Sequence, residues 1–275
     1  VSEASCGIAP VLLVSHGAAT LTTRAGDPSD VALREAARWL EGSRALIVLS
    51  AHDVREEVTV GVAPTISMWR DHPAADGLAW QTRGDADLAT SVRARLAEAG
   101  IAHRRGAPRL DHGAWVPLRA LDPAGARPLV TLSLHAGFDP AFHEALGAAL
   151  RPLRADGVAV LCSGGITHDQ SEFRRGYFAR EAPATAVASS ARFEAWALAA
   201  FVSPEPARSE LLRDAERHPD FRECHPTLDH WLPSRVALGA AGEDHGLVLH
   251  RGFQHSLSTA MVGFGLTARD PSVGP

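Results

Sequence analysis

Four short runs rich in Val, Leu and Ile constrain what this chain can fold into more than any other feature. They fall at residues 11–14, 45–49, 129–134 and 158–161. A strand with one wet face alternates apolar and polar residues, whereas a largely continuous apolar run belongs to a strand buried on both faces. Amphipathic stretches lie between and after the runs, at 30–40, 85–99, 140–153, 189–201 and 209–217. Asp30 and Ser189 stand where helix N-caps are expected, and Gly100 and Gly157 stand near helix ends. Strands alternating with helices predict an α/β fold whose central sheet, largely parallel or mixed, is covered by helices on both faces. Residues 246–265 carry several Gly among apolar residues and predict one or two late strands, while Pro204-Glu205-Pro206 marks a surface turn. No repeat, low-complexity segment or long linker divides the 275 residues. The expectation is one domain, 1–275, with a core from about residue 9 to about residue 267.

Composition narrows the partners. A formal net charge of -5 offers no basic face to nucleic acid or to an anionic membrane. The apolar runs are too short to span a bilayer. Three widely spaced cysteines, Cys6, Cys162 and Cys224, make no disulfide framework, so a reducing cytoplasm is the expected compartment. A homodimer is the default assembly.

The 14 histidines matter by position rather than by number. Ligands of open α/β sheets gather beyond the carboxyl ends of the strands. His16, His52 and His168 each follow a buried run by a few residues, whereas His103, His143 and His218 are expected on helix faces. His230 precedes Pro233, a residue suited to a first helical turn, which puts His230 in the entry loop. Imidazole suits Zn, Fe and Cu, and a site with open positions needs about three protein ligands. Neither HExxH nor a paired CxxC is present. His112, in Asp111-His112-Gly113-Ala114-Trp115-Val116-Pro117-Leu118, has two readings. One is a loop presenting His112 and a flat Trp115 wall to a ligand; the other is a capping turn with a core Trp.

A resemblance emerges from these blocks taken in order. Ser15-His16-Gly17, Ser50-Ala51-His52, the block 111–118, Ser163-Gly164-Gly165-Ile166-Thr167-His168, and His225-Pro226 through His230 to Leu238-Gly239-Ala240-Ala241 follow the order and approximate spacing of one family. The chain resembles the extradiol ring-cleavage dioxygenases of the protocatechuate 4,5-dioxygenase (class III) superfamily, in their DOPA 4,5-dioxygenase-like branch, from about residue 11 to about residue 265. The resemblance implies metal binding by His16, His52 and His230, with Asp229 as the reserve third ligand. It implies acid/base work by His168, which becomes a fourth ligand when zinc occupies the site. It places His112 near substrate and oxygen, and gives His225 a role in substrate contact or support. Trp115 would line the slot for the ring. Fe(II) is the implied metal for activity, with Zn(II) able to occupy the site, and a small catecholic aromatic and O2 are the implied substrates.

The chain departs from the family pattern after Pro64-Thr65-Ile66. Relatives carry Tyr-Asp-Phe and Gly-Phe-Pro there, and this chain carries Ser67-Met68-Trp69-Arg70-Asp71-His72-Pro73. The departure bears on the substrate and leaves the metal chemistry untouched. Arg70, Arg174 and Arg175 are candidates to pair with a substrate carboxylate. Cys162 and Cys224 lie beside the key loops and read as buried small hydrophobes rather than soft ligands. Two rivals remain at this level: a zinc hydrolase using the same histidines to activate water, and a non-catalytic scaffold of the same fold.

Overall fold

The computed structural model describes residues 8–21, 26–169, 187–254 and 256–266. Eight strands form the main sheet: β1 (Val11–Ser15), β2 (Ala45–Ser50), β3 (Val58–Gly61), β4 (His103–Gly106), β5 (Leu129–Leu132), β6 (Val158–Gly164), β7 (Gly246–His250) and β8 (Met261–Phe264). Their spatial order is β7-β8-β1-β6-β2-β5-β3-β4. The centre, β1-β6-β2-β5, is parallel. The late strand β8 runs antiparallel to β1, and β3 antiparallel to β5, so the sheet is mixed as expected.

Every residue of β1, β2, β5 and β6 is buried, which is why those runs lack alternation. Successive side chains still point to opposite faces. Leu13, Ile47, Leu49, Val160 and Cys162 pack on one side of the sheet, and Leu12, Leu46, Val48, Ala159 and Leu161 on the other. Among the described residues the α-helices are α1 (Pro28–Ala36), α2 (Ala86–Glu98), α3 (His112–Leu121), α4 (Pro140–Leu150), α5 (Ala188–Phe201), α6 (Ala207–Arg213), α7 (Phe221–Cys224) and α8 (Leu232–Ala241). Leu33 of α1 and Leu118 of α3 cover one face; Val92 of α2, Leu146 of α4, Phe193 of α5 and Val236 of α8 cover the other. Among the described residues no helix is long and apolar enough to cross a membrane.

Several local expectations are corrected. Asp27, not Asp30, caps α1, because Pro28 opens the helix and the Asp27 carboxylate accepts the Ser29 N–H; Asp30 lies in the first turn and pairs with Arg34 at 2.8 Å. Val187 is the N-cap of α5, and the Ser189 hydroxyl donates instead to Glu223 at 2.7 Å. The run 129–134 breaks at Ser133, after which Leu134–His135 pairs with Val54–Arg55 in a separate two-stranded ribbon. His103 opens edge strand β4 rather than lying on a helix, and His218 caps the 3-10 turn Ala215–Arg217. His143 is on α4 as expected, but fully buried and bonded through both ring nitrogens.

The block 111–118 is not a loop. Residues from His112 onward form α3, with Pro117 inside it. Pro117 has no N–H to give the carbonyl of Gly113, four residues earlier. That carbonyl accepts instead from the Ser163 hydroxyl at the end of β6. A helix fault thereby becomes a tie between α3 and the sheet, directly beneath the histidines.

Candidate metal centre

The strand order brings remote histidines together. β1 and β2 both flank β6, so the carboxyl ends of three neighbouring parallel strands open on one spot. His16 follows β1 immediately, His52 lies just past β2, and His168 lies four residues beyond β6. Gly17 takes φ +60, a conformation favouring glycine, and lets the chain turn away at once behind His16. His230 lies two residues before α8. Its carbonyl accepts the Gly165 N–H at 3.0 Å, which staples it to the loop after β6. The His168 N–H is likewise held by the Cys224 carbonyl at 2.8 Å.

His16, His52 and His230 can each offer one ring nitrogen such that the nitrogens lie within 4.8 Å of one another. The Nε2 atoms of His16 and His52 are 3.1 Å apart. Two nitrogens held about 2.1 Å from one ion at a tetrahedral angle would lie roughly 3.4 Å apart. The rings of His230 and His168 are stacked with centroids 3.2 Å apart, and the His112 ring lies 4.1 Å from that of His52. His168, Asp229 and His230 form a second, overlapping group of possible ligands.

Hydrogen bonds fix which nitrogens are available. The only proton of the Ser163 hydroxyl goes to Gly113, so at 3.1 Å Ser163 Oγ accepts from His16 Nδ1 and leaves His16 Nε2 with a lone pair. Asp229 accepts from His230 Nδ1 at 3.0 Å, and His230 Nε2 is buried with no partner. Of the two candidates for third ligand, Asp229 therefore orients His230 from behind, while the imidazole presents the unsatisfied atom. Such carboxylate–histidine pairing is the usual outer support of a ligating ring. Behind His52, the Ser50 hydroxyl accepts the His52 N–H at 3.2 Å and donates to Asp111.

Electrostatics make the rings neutral. Burial, followed by mutual repulsion with neighbouring imidazoles, holds His16 and His230 well below the usual histidine range. Burial and then His112 push His52 down to about 3; burial also lowers His168 to about 4, against the pull of Asp229. Neutral imidazole is the ligating form, so burial, tautomer and an orphaned Nε2 together fit a bound transition metal.

Two expected substrate contacts are not found at the cluster surface. Trp115 is fully buried in the core beneath α3, so the reading as a core Trp holds. Its indole N–H donates to Asp71 at 3.1 Å. His225 is also fully buried, ringed by Phe193, Phe221 and Trp231, with Nε2 bonded to the Ile166 carbonyl at 2.9 Å. It supports the loop that carries His168. Arg70 is exposed and lines a cleft of about 530 Å³ with Met68 and Trp80. Arg174 and Arg175 lie outside the described residues. Cys162 and Cys224 are buried free thiols, Cys162 raised by burial and Cys224 pushed up by burial to about 12, which suits the hydrophobe reading.

Sequence reasoning missed Asp71 and gave no role to Ser163. Ser163 stood inside a quoted motif, but its value depends on Pro117, which is distant in sequence. Asp71 sits in the segment that departs from the family pattern, and no local signal marks it.

Comparison with known proteins agrees with this geometry. The chain is 30% identical over 252 residues to a 4,5-DOPA dioxygenase extradiol of Beta vulgaris, covering 86% of this chain and 88% of that protein. It is 29% identical over 214 residues to the protein of the same name from Mirabilis jalapa, covering 74% and 76%. A crystal structure of an uncharacterized Escherichia coli K12 protein superposes with a TM-score of 0.78 over 93% of this chain and 99% of the other, at 22% identity, which shows a shared fold. The family model described as the catalytic LigB subunit of aromatic ring-opening dioxygenase matches residues 10–265, a span that holds the whole histidine cluster, and the chain belongs to that family.

Proposed function

We propose that this protein is a non-haem Fe(II) extradiol dioxygenase. It opens a catechol-type ring beside the diol, with both atoms of O2 entering a muconic semialdehyde-type product. The observation that supports this most directly is the convergence of neutral His16, His52 and His230, with the lone pair of His230 Nε2 buried and unpartnered. Those three side chains would hold the ion. Bound ferrous iron would supply one-electron chemistry and open positions where a catechol and O2 meet.

The remaining work falls to the chain's own groups. His168 is held neutral at pH 7, because burial lowers it to about 4. A ring nitrogen of His168 accepts the proton of a substrate hydroxyl and later returns it as the O–O bond breaks, general acid–base work at a single imidazole. The stacking of its ring on that of His230, with centroids 3.2 Å apart, supports that role. His112, on the other side next to His52, hydrogen-bonds the substrate or oxygen. Asp229 and Ser163 keep the ligand rings in orientation. Met68 and Arg70 of the segment that departs from the family line a cleft with Trp80, and Arg70 is the described candidate for a substrate carboxylate.

The test is anaerobic reconstitution with ferrous iron, followed by an oxygen-electrode assay over a panel of catechols. Stoichiometric O2 uptake with a yellow product is expected. Zinc-dependent hydrolysis without O2, or no turnover at all, would defeat the proposal.

A further inference from the structure

Asp71 gathers three donors onto one carboxylate. Its Oδ2 accepts the His112 backbone N–H at 2.9 Å and His112 Nδ1 at 2.7 Å, and its Oδ1 accepts the Trp115 indole N–H at 3.1 Å. The Asp71 side chain is only 10% exposed, and the His112 side chain 23%. Burial alone would raise this carboxyl, yet the hydrogen bonds from His112 and Trp115 outweigh it and hold the group down at about 2. A carboxylate is an acceptor only, so the proton between Asp71 and the ring belongs to Nδ1.

The same contact replaces a helix cap. Asp111 is the N-cap residue of α3, yet its side chain makes no capping bond, and its Oδ1 accepts from Ser50 instead. Asp71 reaches in from another segment and takes the first N–H of the helix. It thereby fixes both the start of α3 and the ring that projects from that start. Trp115, one turn on, locks the second oxygen and prevents the carboxylate from rotating.

We propose that Asp71 is a positioning residue for ring opening: it holds His112 as the Nδ1–H tautomer and leaves Nε2 as a fixed acceptor beside the histidine cluster. The proposal rests on the dioxygenase reading for its catalytic consequence, but the contact itself does not. Asp71 lies in the segment 67–73, where the sequence departs from the family pattern. It ties the altered segment to the chemistry.

The test reads tautomer and turnover separately. Long-range proton–nitrogen spectra of ¹⁵N-histidine protein, zinc-loaded and diamagnetic, are recorded for the wild type and for Asp71→Asn. The His112 signals are assigned by their loss in His112→Asn. Asn keeps an oxygen able to cap the helix, but it cannot offer acceptors to all three donors. The wild type should show His112 protonated at Nδ1, and Asp71→Asn should shift it toward Nε2. In the iron-loaded enzyme, kcat should fall about 10–100-fold, with KM for the catechol changing by less than about threefold. Asp71→Ala, which also removes the cap, should show the same tautomer change with a lower melting point. A wild-type His112 protonated at Nε2, an Asp71→Asn spectrum identical to wild type, or a changed tautomer with unchanged kcat would each overturn the proposal. A wild type that opens no catechol defeats the proposed function, while the spectrum still judges the Asp71–His112 contact by itself.

Discussion

Gly164 and Gly165 look interchangeable in the sequence, but the structure predicts opposite fates for them. A Cβ on Gly164 would lie closer than 3.0 Å to the His230 carbonyl oxygen and 2.9 Å from Pro233 Cγ. Ordinary contact begins at 3.4 Å, so Pro233 must retreat by about 0.5 Å and the His230 carbonyl by more. Neither is the free end of a flexible side chain: one is main chain, the other a ring locked in the first turn of α8. Gly164→Ala should therefore displace the segment that carries His230. Ligand geometry tolerates only about 0.5 Å, so metal affinity or kcat should fall roughly 10–100-fold. Overpacking should cost about 1–3 kcal/mol, a fall in Tm of roughly 2–10 °C for a domain of this size. Gly165→Ala is the control. Its Cβ would meet the Thr167 carbonyl oxygen at 3.2 Å and His230 Cβ at 3.9 Å, which a shift of a few tenths of an ångström relieves. The assay is zinc affinity by competition with a chelating dye, with Tm from thermal denaturation. Wild-type affinity in Gly164→Ala, or equal damage in the two variants, would refute the claim that close packing of β6 against the start of α8 sets the His230 position.

His230→Ala should abolish tight metal binding, measured as metal content after gel filtration, and Asp229→Asn should weaken it about 10–100-fold by loosening the Nδ1 contact. In the metal-free protein, stability should fall as pH drops below about 6.5. Burial first, with like-charged neighbours, depresses His52 to about 3; burial chiefly depresses His225 to about 3 and His168 to about 4. The unfolded chain thus takes up protons that the folded one refuses throughout that window, and urea midpoints at pH 7 and pH 5 measure the difference. Arg154, 1% exposed, donates to the carbonyls of Ala9 and Ala240 and pairs with Asp244. Arg154→Met should cost about 3–5 kcal/mol by leaving its partners unpaired, seen in chemical denaturation, while metal content stays at the wild-type level.

The central sheet was legible because burial on both faces writes itself as a largely continuous apolar run, and His16, His52 and His168 because each follows such a run by a few residues. Helix starts were less legible. Asp30 and Ser189 are good capping types, but Pro28 moved one start upstream, and the long-range contact to Glu223 claimed the Ser189 hydroxyl. The segment 111–118 misled for a related reason. Gly113 and Pro117 lower helix propensity, and only the tertiary acceptor–donor match between Gly113 and Ser163 offsets the missing bond. Asp71 was invisible because all three of its donors lie about forty residues away in sequence.

The cluster makes physical sense only as a set. An unpartnered buried polar atom costs about 1–3 kcal/mol, and crowding several imidazoles into a dry pocket depresses each one's affinity for protons, so protonation cannot satisfy them. Direct pairing among the rings cannot satisfy them all either. Ser163 and Asp229 commit the Nδ1 protons of His16 and His230 outward, which turns both Nε2 lone pairs inward; His52 Nε2 reaches that of His16 at 3.1 Å, and His230 Nε2 is left with no partner. A cation satisfies such inward lone pairs, because it brings the charge that burial denies to protons. Ser163 and Asp229 thus do for the metal site what Asp71 does for His112: each spends a buried hydrogen bond on the outward nitrogen of a ring so that the inward nitrogen is fixed.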